Sequence, residues 1–177
     1  MDRKNYLESA IFEFKRYKAL GNNTFAQLQE EDLYWQYNDA DNSIALIVKH
    51  MAGNMLSRWT NFLNEDGEKS WRNREEEFVN PPEAKEALLL LWEKDWDCLF
   101  DALSQIDDTN FEKKIHIRNE PHTIIEAINR QLAHYANHAG QIVLLGKMIR
   151  GEKWISLSVP KGGSKAFNDK MFGKSLK

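Results

Sequence analysis

Long stretches of helical apolar periodicity constrain the fold of this 177-residue chain most strongly. In each stretch, apolar residues recur three and four positions apart, the spacing of one face of an α-helix. The four predicted helices cover residues 3–29, 43–64, 81–105 and 123–150. Ser43 and Asn80, the latter followed by proline, are predicted N-caps, and Gly151 is a predicted C-cap. The pattern predicts an all-α fold, specifically a four-helix bundle.

The remaining segments are shorter. Residues 115–117 alternate apolar and polar side chains, which predicts a short extended segment before the last long helix. The tail from residue 151 mixes aromatic and aliphatic residues with glycines, so we expect it to pack on the bundle. The sequence contains no internal repeat, and residues 1–177 are predicted to form one domain.

Charge and cysteine content argue against several classes of protein. The net charge of −3, without any basic run, gives no electrostatic basis for binding nucleic acid or a membrane surface. No apolar run is long enough to cross a bilayer, and the N-terminus has no apolar signal core. The single cysteine, Cys98, cannot form an internal disulfide. These features predict a cytoplasmic protein.

Histidines at helical spacing are the strongest indication of function. His134 and His138 lie one turn apart, so they share one face of the predicted last helix, and Gln131 and Gln141 extend that line. Such a pair alone is weak evidence, because two histidines on a surface helix are usually only solvated. His50 strengthens the case because it lies in the apolar stretch IALIVKHMAGNM of the second helix.

If the second and fourth helices face each other, three imidazoles can converge. Three nitrogen ligands suit a divalent transition metal such as Zn²⁺ or Ni²⁺ and leave a coordination position open. The alternative for His50 is a hydrogen-bonded core histidine. His116 is expected to face solvent, and His122 to stand at the start of a helix.

Two further segments are candidates for substrate binding. Arg72 can reach into a pocket and bind a carboxylate with its bidentate fork, although a solvated loop with local ion pairs is the simpler interpretation. In PKGGSKAFN, Gly162, Gly163 and Ser164 can form a small anion-binding turn, or a plain turn into a C-terminal helix.

Four blocks of the sequence together resemble one family. They are SIALIVKHMAGNMLSRWTNFL, DGEKSWRNREEEF, HYANHAGQIVLLGK and WISLSVPKGGSKAFN. The pattern of one histidine in the second helix and a later HxxxH in the fourth resembles that of the DinB/YfiT-like superfamily of bacterial metalloproteins. The sequence of the four blocks resembles an uncharacterised branch of that superfamily. The resemblance implies a DinB/YfiT-like four-helix bundle with a metal held by His50, His134 and His138. Other branches include thiol S-transferases and isomerases that use bacillithiol or mycothiol.

These observations lead to one main expectation and two alternatives. The first is a metal-dependent thiol S-transferase that joins a low-molecular-weight thiol of the bacillithiol type to small electrophiles. In the second, the protein is a non-catalytic metal-binding stress or scaffold protein, and in the third the bundle binds no metal. The surplus of large aromatic residues and the resemblance also favour a homodimer that associates through helix faces.

Overall fold

The computed structural model describes residues 2–173 and is mostly helical, as the sequence predicts. Two short antiparallel strands lie between the third and fourth helices, and 3-10 turns cover residues 31–34, 75–78 and 151–153. The helices are α1 (Arg3–Phe25), α2 (Ile44–Trp59), α3 (Lys85–Ser104), α4 (Ile124–Arg150) and α5 (Ser164–Phe172), and the strands are β1 (Lys114–Ile117) and β2 (Glu120–Thr123). None of the described helices is long and apolar enough to cross a membrane.

The four long helices pack around one hydrophobic core. Helix α2 lies mainly against α3, α1 lies mainly against α4, and α2 also contacts α4. Large aromatic side chains fill the centre, where Phe14, Trp96 and Tyr135 pack edge to face or tilted against one another. Burial of such large side chains is the main driving force for this packing. The contact between α2 and α4 brings the histidine-bearing helices together.

Local signals define both ends of α4. Thr123 Oγ1 accepts a hydrogen bond from the Glu126 backbone N–H (3.1 Å), and the Glu126 carboxylate accepts one from the Thr123 N–H (2.7 Å). This capping box satisfies N–H groups that have no partner within the helix. At the other end, Gly151 has φ 54°, a conformation that favours glycine. The predicted bounds of this helix therefore agree with the structure within one residue.

The start of the third helix was predicted incorrectly. Helix α3 begins at Lys85 rather than residue 81, and its N-cap position is Ala84. Asn80 adopts φ 47°, which places it in a turn instead of at a helix start. Helices α1 and α2 also end earlier than predicted, at Phe25 and Trp59.

A tight hairpin joins β1 to β2. Its two loop residues, Arg118 and Asn119, have φ 56° and 62°, as a two-residue loop between antiparallel strands requires. The Asp66 carboxylate accepts both of their backbone N–H groups at 2.8 Å. The hairpin confirms the predicted extended segment, in which His116 is exposed. Asp66 thereby holds the Arg118 backbone in place.

Only part of the C-terminal tail packs as expected. Trp154 lies over Gly146, where an added Cβ would come within 3.0 Å of the indole. Ile155 exchanges two hydrogen bonds through its backbone with the Gln27 side chain, at 2.8 and 3.1 Å. Helix α5, however, contains no buried residue. Its apolar side chains are few and are interrupted by lysine and aspartate, so it offers no continuous face to bury.

Candidate metal centre

Three histidines from two helices converge at one point. Helix α2 carries His50, and α4 carries His134 and His138. One nitrogen atom of each imidazole can be chosen so that all three lie within 4.8 Å of one another. The ring centroids are 4.6 to 5.5 Å apart. The structure therefore brings together the three side chains that the sequence singles out.

The hydrogen bonds around the imidazoles indicate which nitrogen atoms are free. The Nδ1 of His50 donates to Glu77 Oε2 (2.8 Å), and the Nδ1 of His138 donates to Gln141 Oε1 (2.9 Å). These bonds select the tautomer that leaves Nε2 as an acceptor. The Nε2 of His134 is buried and has no partner within the described residues. A buried polar atom without a partner calls for an explanation, and a metal ion provides one.

The donor set fits a late first-row divalent metal. Zinc–nitrogen bonds of 2.0–2.1 Å place tetrahedral ligand atoms about 3.3 Å apart. The nitrogen atoms here lie within 4.8 Å of one another, at most about 1.5 Å farther apart than that spacing. In metal sites a histidine ligand commonly donates its other N–H to a carboxylate or an amide oxygen, as His50 and His138 do.

Burial keeps the histidines of α4 neutral. Burial, together with the neighbouring His138 and His50, lowers the pKa of His134 to about 3. Burial also lowers the pKa of His138, although its bond to Gln141 opposes the shift. Because only the neutral imidazole binds a metal, both side chains are in the ligand form at neutral pH.

A buried ion pair between Arg72 and Glu77 holds the carboxylate that accepts the hydrogen bond from His50. Arg72 donates to both oxygens of Glu77, from Nε to Oε1 (2.7 Å) and from Nη2 to Oε2 (3.0 Å). Burial alone would raise the pKa of Glu77, but the bonds from His50 and Arg72 outweigh it and lower the pKa below its usual value. The carboxylate is therefore ionised and accepts from His50. Arg72 lines the cavity, but the carboxylate it binds here is Glu77 of the same chain, and its binding of a substrate carboxylate stays a prediction.

Gly53 makes room for this carboxylate. It lies three residues after His50 on α2, and an added Cβ would come within 2.7 Å of Glu77 Cδ. A side chain at this position would push Glu77 away from His50. The present position of the Glu77 carboxylate beside His50 therefore depends on the missing Cβ of Gly53.

A network of hydrogen-bonded and stacked side chains lies next to the imidazoles. Trp59 Nε1 donates to the Tyr135 hydroxyl (3.2 Å), which donates to Asn54 Oδ1 (3.0 Å). Burial raises the pKa of Tyr135, so its hydroxyl remains protonated. On the other side, Phe78 stacks on His50 with ring centroids 4.8 Å apart. These contacts restrict the rotation of the site's side chains.

A cavity of about 320 Å³ opens beside the imidazoles. Arginines from the second helix, the 70–80 loop, the hairpin and the fourth helix project towards it. Among the residues that the structure describes, its lining contains no carboxylate. The lining residues are His50, Asn54, Arg58, Arg72, Arg74, Arg118, Arg130, Gln131 and His134.

The second predicted binding segment does not line this cavity. Gly162, Gly163 and Ser164 form the turn that leads into α5, and no side chain caps that helix. Gly162 adopts φ 82°, and both it and Ser164 are exposed. Substrate binding at this turn stays a prediction.

Sequence reasoning missed three residues of the site: Glu77, Arg118 and Arg130. A signal existed for Arg130, which lies four residues before His134 on the same face of α4. Nothing distinguishes Glu77 from Glu75 and Glu76 in the sequence. Arg118 reaches the cavity only because the hairpin folds back over it.

These features define a mostly helical protein with a three-histidine cluster beside an arginine-lined cavity. Over residues 2–163 the sequence matches the family described as "Protein of unknown function (DUF1572)", and the chain belongs to that family. No curated protein and no solved structure matches the chain.

Proposed function

We propose that this protein is a DinB/YfiT-like four-helix-bundle metalloprotein that acts as a metal-dependent thiol S-transferase on small electrophiles. His50, His134 and His138 hold one divalent transition metal, zinc or nickel. One observation carries the proposal: one nitrogen atom of each of the three imidazoles lies within 4.8 Å of the other two beside the cavity, and the buried Nε2 of His134 has no partner among the described residues. Two of the three histidines line that cavity, so a ligand there reaches the metal site.

The order of the elements supports the assignment to the superfamily. One ligand comes from the second long helix, and an HxxxH pair comes from the fourth. The two-stranded hairpin and α5 are additions to the four long helices and leave their order unchanged.

The lining of the cavity indicates where the nucleophile comes from. Within the described residues, it contains no serine, cysteine, lysine or carboxylate that can attack an electrophile. Cys98 lies on α3 in a different cavity, and burial raises the pKa of its thiol. We therefore assign the role of nucleophile to a bound ligand, a small thiol of the bacillithiol type.

When bound, a divalent metal held by His50, His134 and His138 would lower the pKa of a coordinated thiol or water. The chain's own residues orient the ligand set: Glu77 makes His50 a better donor, and Gln141 holds the ring of His138. In the transfer, the thiol sulfur forms a bond to the electrophilic carbon, the leaving group departs with the bonding electrons, and the thiol proton passes to solvent. The amides of Asn54 and Gln131 remain at the cavity wall to position the electrophile.

Metal content in matched variants tests this proposal. We expect about one divalent transition metal per purified, untagged chain, and we expect His134→Ala and His138→Ala to lose it. The matched control is His116→Ala, which changes an exposed histidine on β1. Metal content that is unchanged in both α4 variants would contradict the site.

A panel of small thiols and electrophiles then tests the reaction. We expect product formation that depends on the metal and disappears in His138→Ala but not in His116→Ala. If metal is bound stoichiometrically and no thiol in the panel is transferred, the alternative, a non-catalytic metal-binding stress or scaffold protein, is the better description.

A further inference from the structure

We propose that the arginine-lined cavity is the binding site for a small dianion, a dicarboxylate or a phosphate monoester. Arg74, Arg118 and Arg130 contact the anion from the rim, and Arg58 contacts it from the inner wall. The inference rests on the proposed function in one respect, because the dianionic group is taken to be part of the molecule that reacts at the histidine cluster. Binding of the dianion itself requires only the arginines.

The cavity has an excess of positive charge. Glu68 Oε2 accepts from Arg58 (3.0 Å) and Arg118 (3.1 Å), and Glu77 is paired with Arg72. With Asp66, whose carboxylate holds the hairpin, three carboxylates oppose the five guanidinium groups of the lining. Two positive charges are therefore left without a partner, and a dianion matches them.

The unpaired charges belong to arginines from two separate elements. Within residues 2–173, no carboxylate lies within ion-pair distance of Arg74 or Arg130. The recorded side-chain contact of Arg130 is a long one of 3.5 Å between Nη1 and His122 Nε2. Arg74 precedes the 3-10 turn that carries Glu77, whereas Arg130 lies on α4 one turn before His134. Both side chains are free to contact a ligand, and they reach the cavity from two different elements.

Two buried polar atoms at the cavity also lack partners. Arg58 is 7% exposed, and its Nε has no acceptor among the described residues. Gln131 is 3% exposed, and its Oε1 has no donor there. Leaving a buried guanidinium N–H unpaired is costly, and an anionic ligand oxygen is the acceptor that would satisfy it. The Gln131 oxygen can accept from a hydroxyl or amide of the same ligand.

The dimensions and shape of the cavity favour a small ligand over a polyanion. A volume of about 320 Å³ lies at the lower end of the range for small-molecule sites. The arginines lie around a concavity rather than along an open stripe, and the chain as a whole has a net charge of −3. A long nucleic acid therefore has no continuous basic surface to follow. Guanidinium forks match the planar or tetrahedral oxygens of carboxylates and phosphates.

Calorimetric titration of the full chain tests the inference. The probes are succinate, inorganic phosphate at about pH 8, where the dianion predominates, and acetate as a monoanion. Titrations use the chelator-treated protein, because a bound metal would itself attract phosphate and carboxylates. We expect at least one dianion to bind about tenfold more tightly than acetate, and the better probe distinguishes a dicarboxylate site from a phosphate site.

Paired charge removals provide the control. Arg74→Gln with Arg130→Gln should weaken binding of the preferred dianion at least about tenfold, because both arginines contact it. Lys4→Gln with Arg16→Gln removes the same charge from exposed positions on α1 and should leave binding unchanged. All four side chains are exposed, so folding should be preserved, which circular dichroism checks.

The possible outcomes separate this inference from the proposed function. Equal affinity for dianions and acetate, or equal binding by the two double variants, would overturn it. If the dianion preference depends on Arg74 and Arg130, but the purified protein carries no metal before chelator treatment, the site stands and the proposed metal chemistry fails. If metal-dependent thiol transfer occurs without any dianion preference, this inference alone fails.

Discussion

His50 connects the candidate ligands to a charged loop through a single hydrogen bond. Its Nδ1 donates to Glu77, and Arg72 holds both oxygens of that carboxylate. A carboxylate behind a histidine ligand fixes the tautomer and increases the basicity of the free nitrogen. The charge on Glu77 should therefore affect metal affinity even though Glu77 is not a ligand.

Glu77→Gln tests this residue-scale effect. Glutamine retains the size of the side chain but removes its charge, so we expect metal affinity to fall about 10- to 100-fold. Competition with a chromophoric chelator measures the affinity. Glu76→Gln, at an exposed position in the same loop, serves as the control and should bind metal like the wild type. Identical affinities in the two variants would show that the carboxylate does not tune the site.

His50→Gln distinguishes a ligand from a core histidine. If His50 is a ligand, we expect a large loss of metal affinity and a small loss of stability, because glutamine is polar and similar in size but a poor ligand. If His50 is only a hydrogen-bonded core residue, the apo protein should lose about 1–3 kcal/mol of unfolding free energy and keep its metal affinity. Thermal unfolding after chelation, followed by metal titration, separates the two, since bound metal itself stabilises the fold.

At the scale of the helix, position 53 of α2 has no room for a side chain beside Glu77. Glycine inside a helix normally costs about 0.5–1 kcal/mol relative to alanine. Gly53→Ala should nevertheless fail to stabilise the protein and should lower metal affinity, because the new Cβ displaces Glu77. Gly140→Ala on α4 is the control, since an added Cβ there meets nothing within 4 Å. We expect this control to stabilise the protein in urea denaturation. Equal stabilisation by both changes would contradict the steric argument.

Helix α3 carries a buried carboxyl group that lowers the stability of the native state as the pH rises. Asp95 is 1% exposed, and both its oxygens lack partners among the described residues. Burial raises its pKa from 3.8 to about 7. Between these values the unfolded chain releases the proton while the native state keeps it, so native stability falls as the pH rises through that window. Each pH unit there costs about 1.4 kcal/mol.

Asp95→Asn removes this titration. The variant should therefore gain stability relative to the wild type as the pH rises from about 4 to 7, and the difference should level off above it. Denaturant unfolding at several pH values measures the difference in free energy. Asp97→Asn, on the exposed side of the same helix, should show no such trend. A difference between Asp95→Asn and wild type that does not change with pH would mean that the carboxyl group titrates normally in the native state.

At the scale of the whole molecule, we propose a homodimer that forms through helix faces. Leu144 and Met148 are 58% and 50% exposed on the outer face of α4, next to the 71% exposed Tyr37. Burying such a patch against a second copy would remove apolar surface from water. Light scattering at tens of micromolar should give twice the chain mass. Leu144→Lys should shift the mass towards a monomer, whereas Phe172→Lys in α5 should not. A monomer mass for the wild type would contradict the dimer.

The accuracy of the sequence predictions depended on the range of the interactions involved. The bounds of α4 were predictable because its capping box and terminal glycine act within a few residues. The start of α3 was not, because Asn80 adopts a left-handed turn conformation where a helix cap was expected. The apolar residues of the tail suggested packing, but only the part near Trp154 finds a complementary surface.

The sequence by itself determined the helices and the pairing of His134 with His138, because helical spacing is a local property of the chain. Only the tertiary structure decided that Glu77, 27 residues from His50, is the carboxylate that supports it. It also decided that Arg118, from a hairpin, and Arg130, from α4, line the same cavity. These contacts depend on how α2, α4 and the loops pack in three dimensions. The helical spacing of residues in the sequence also cannot show that Glu77 occupies the space beside Gly53.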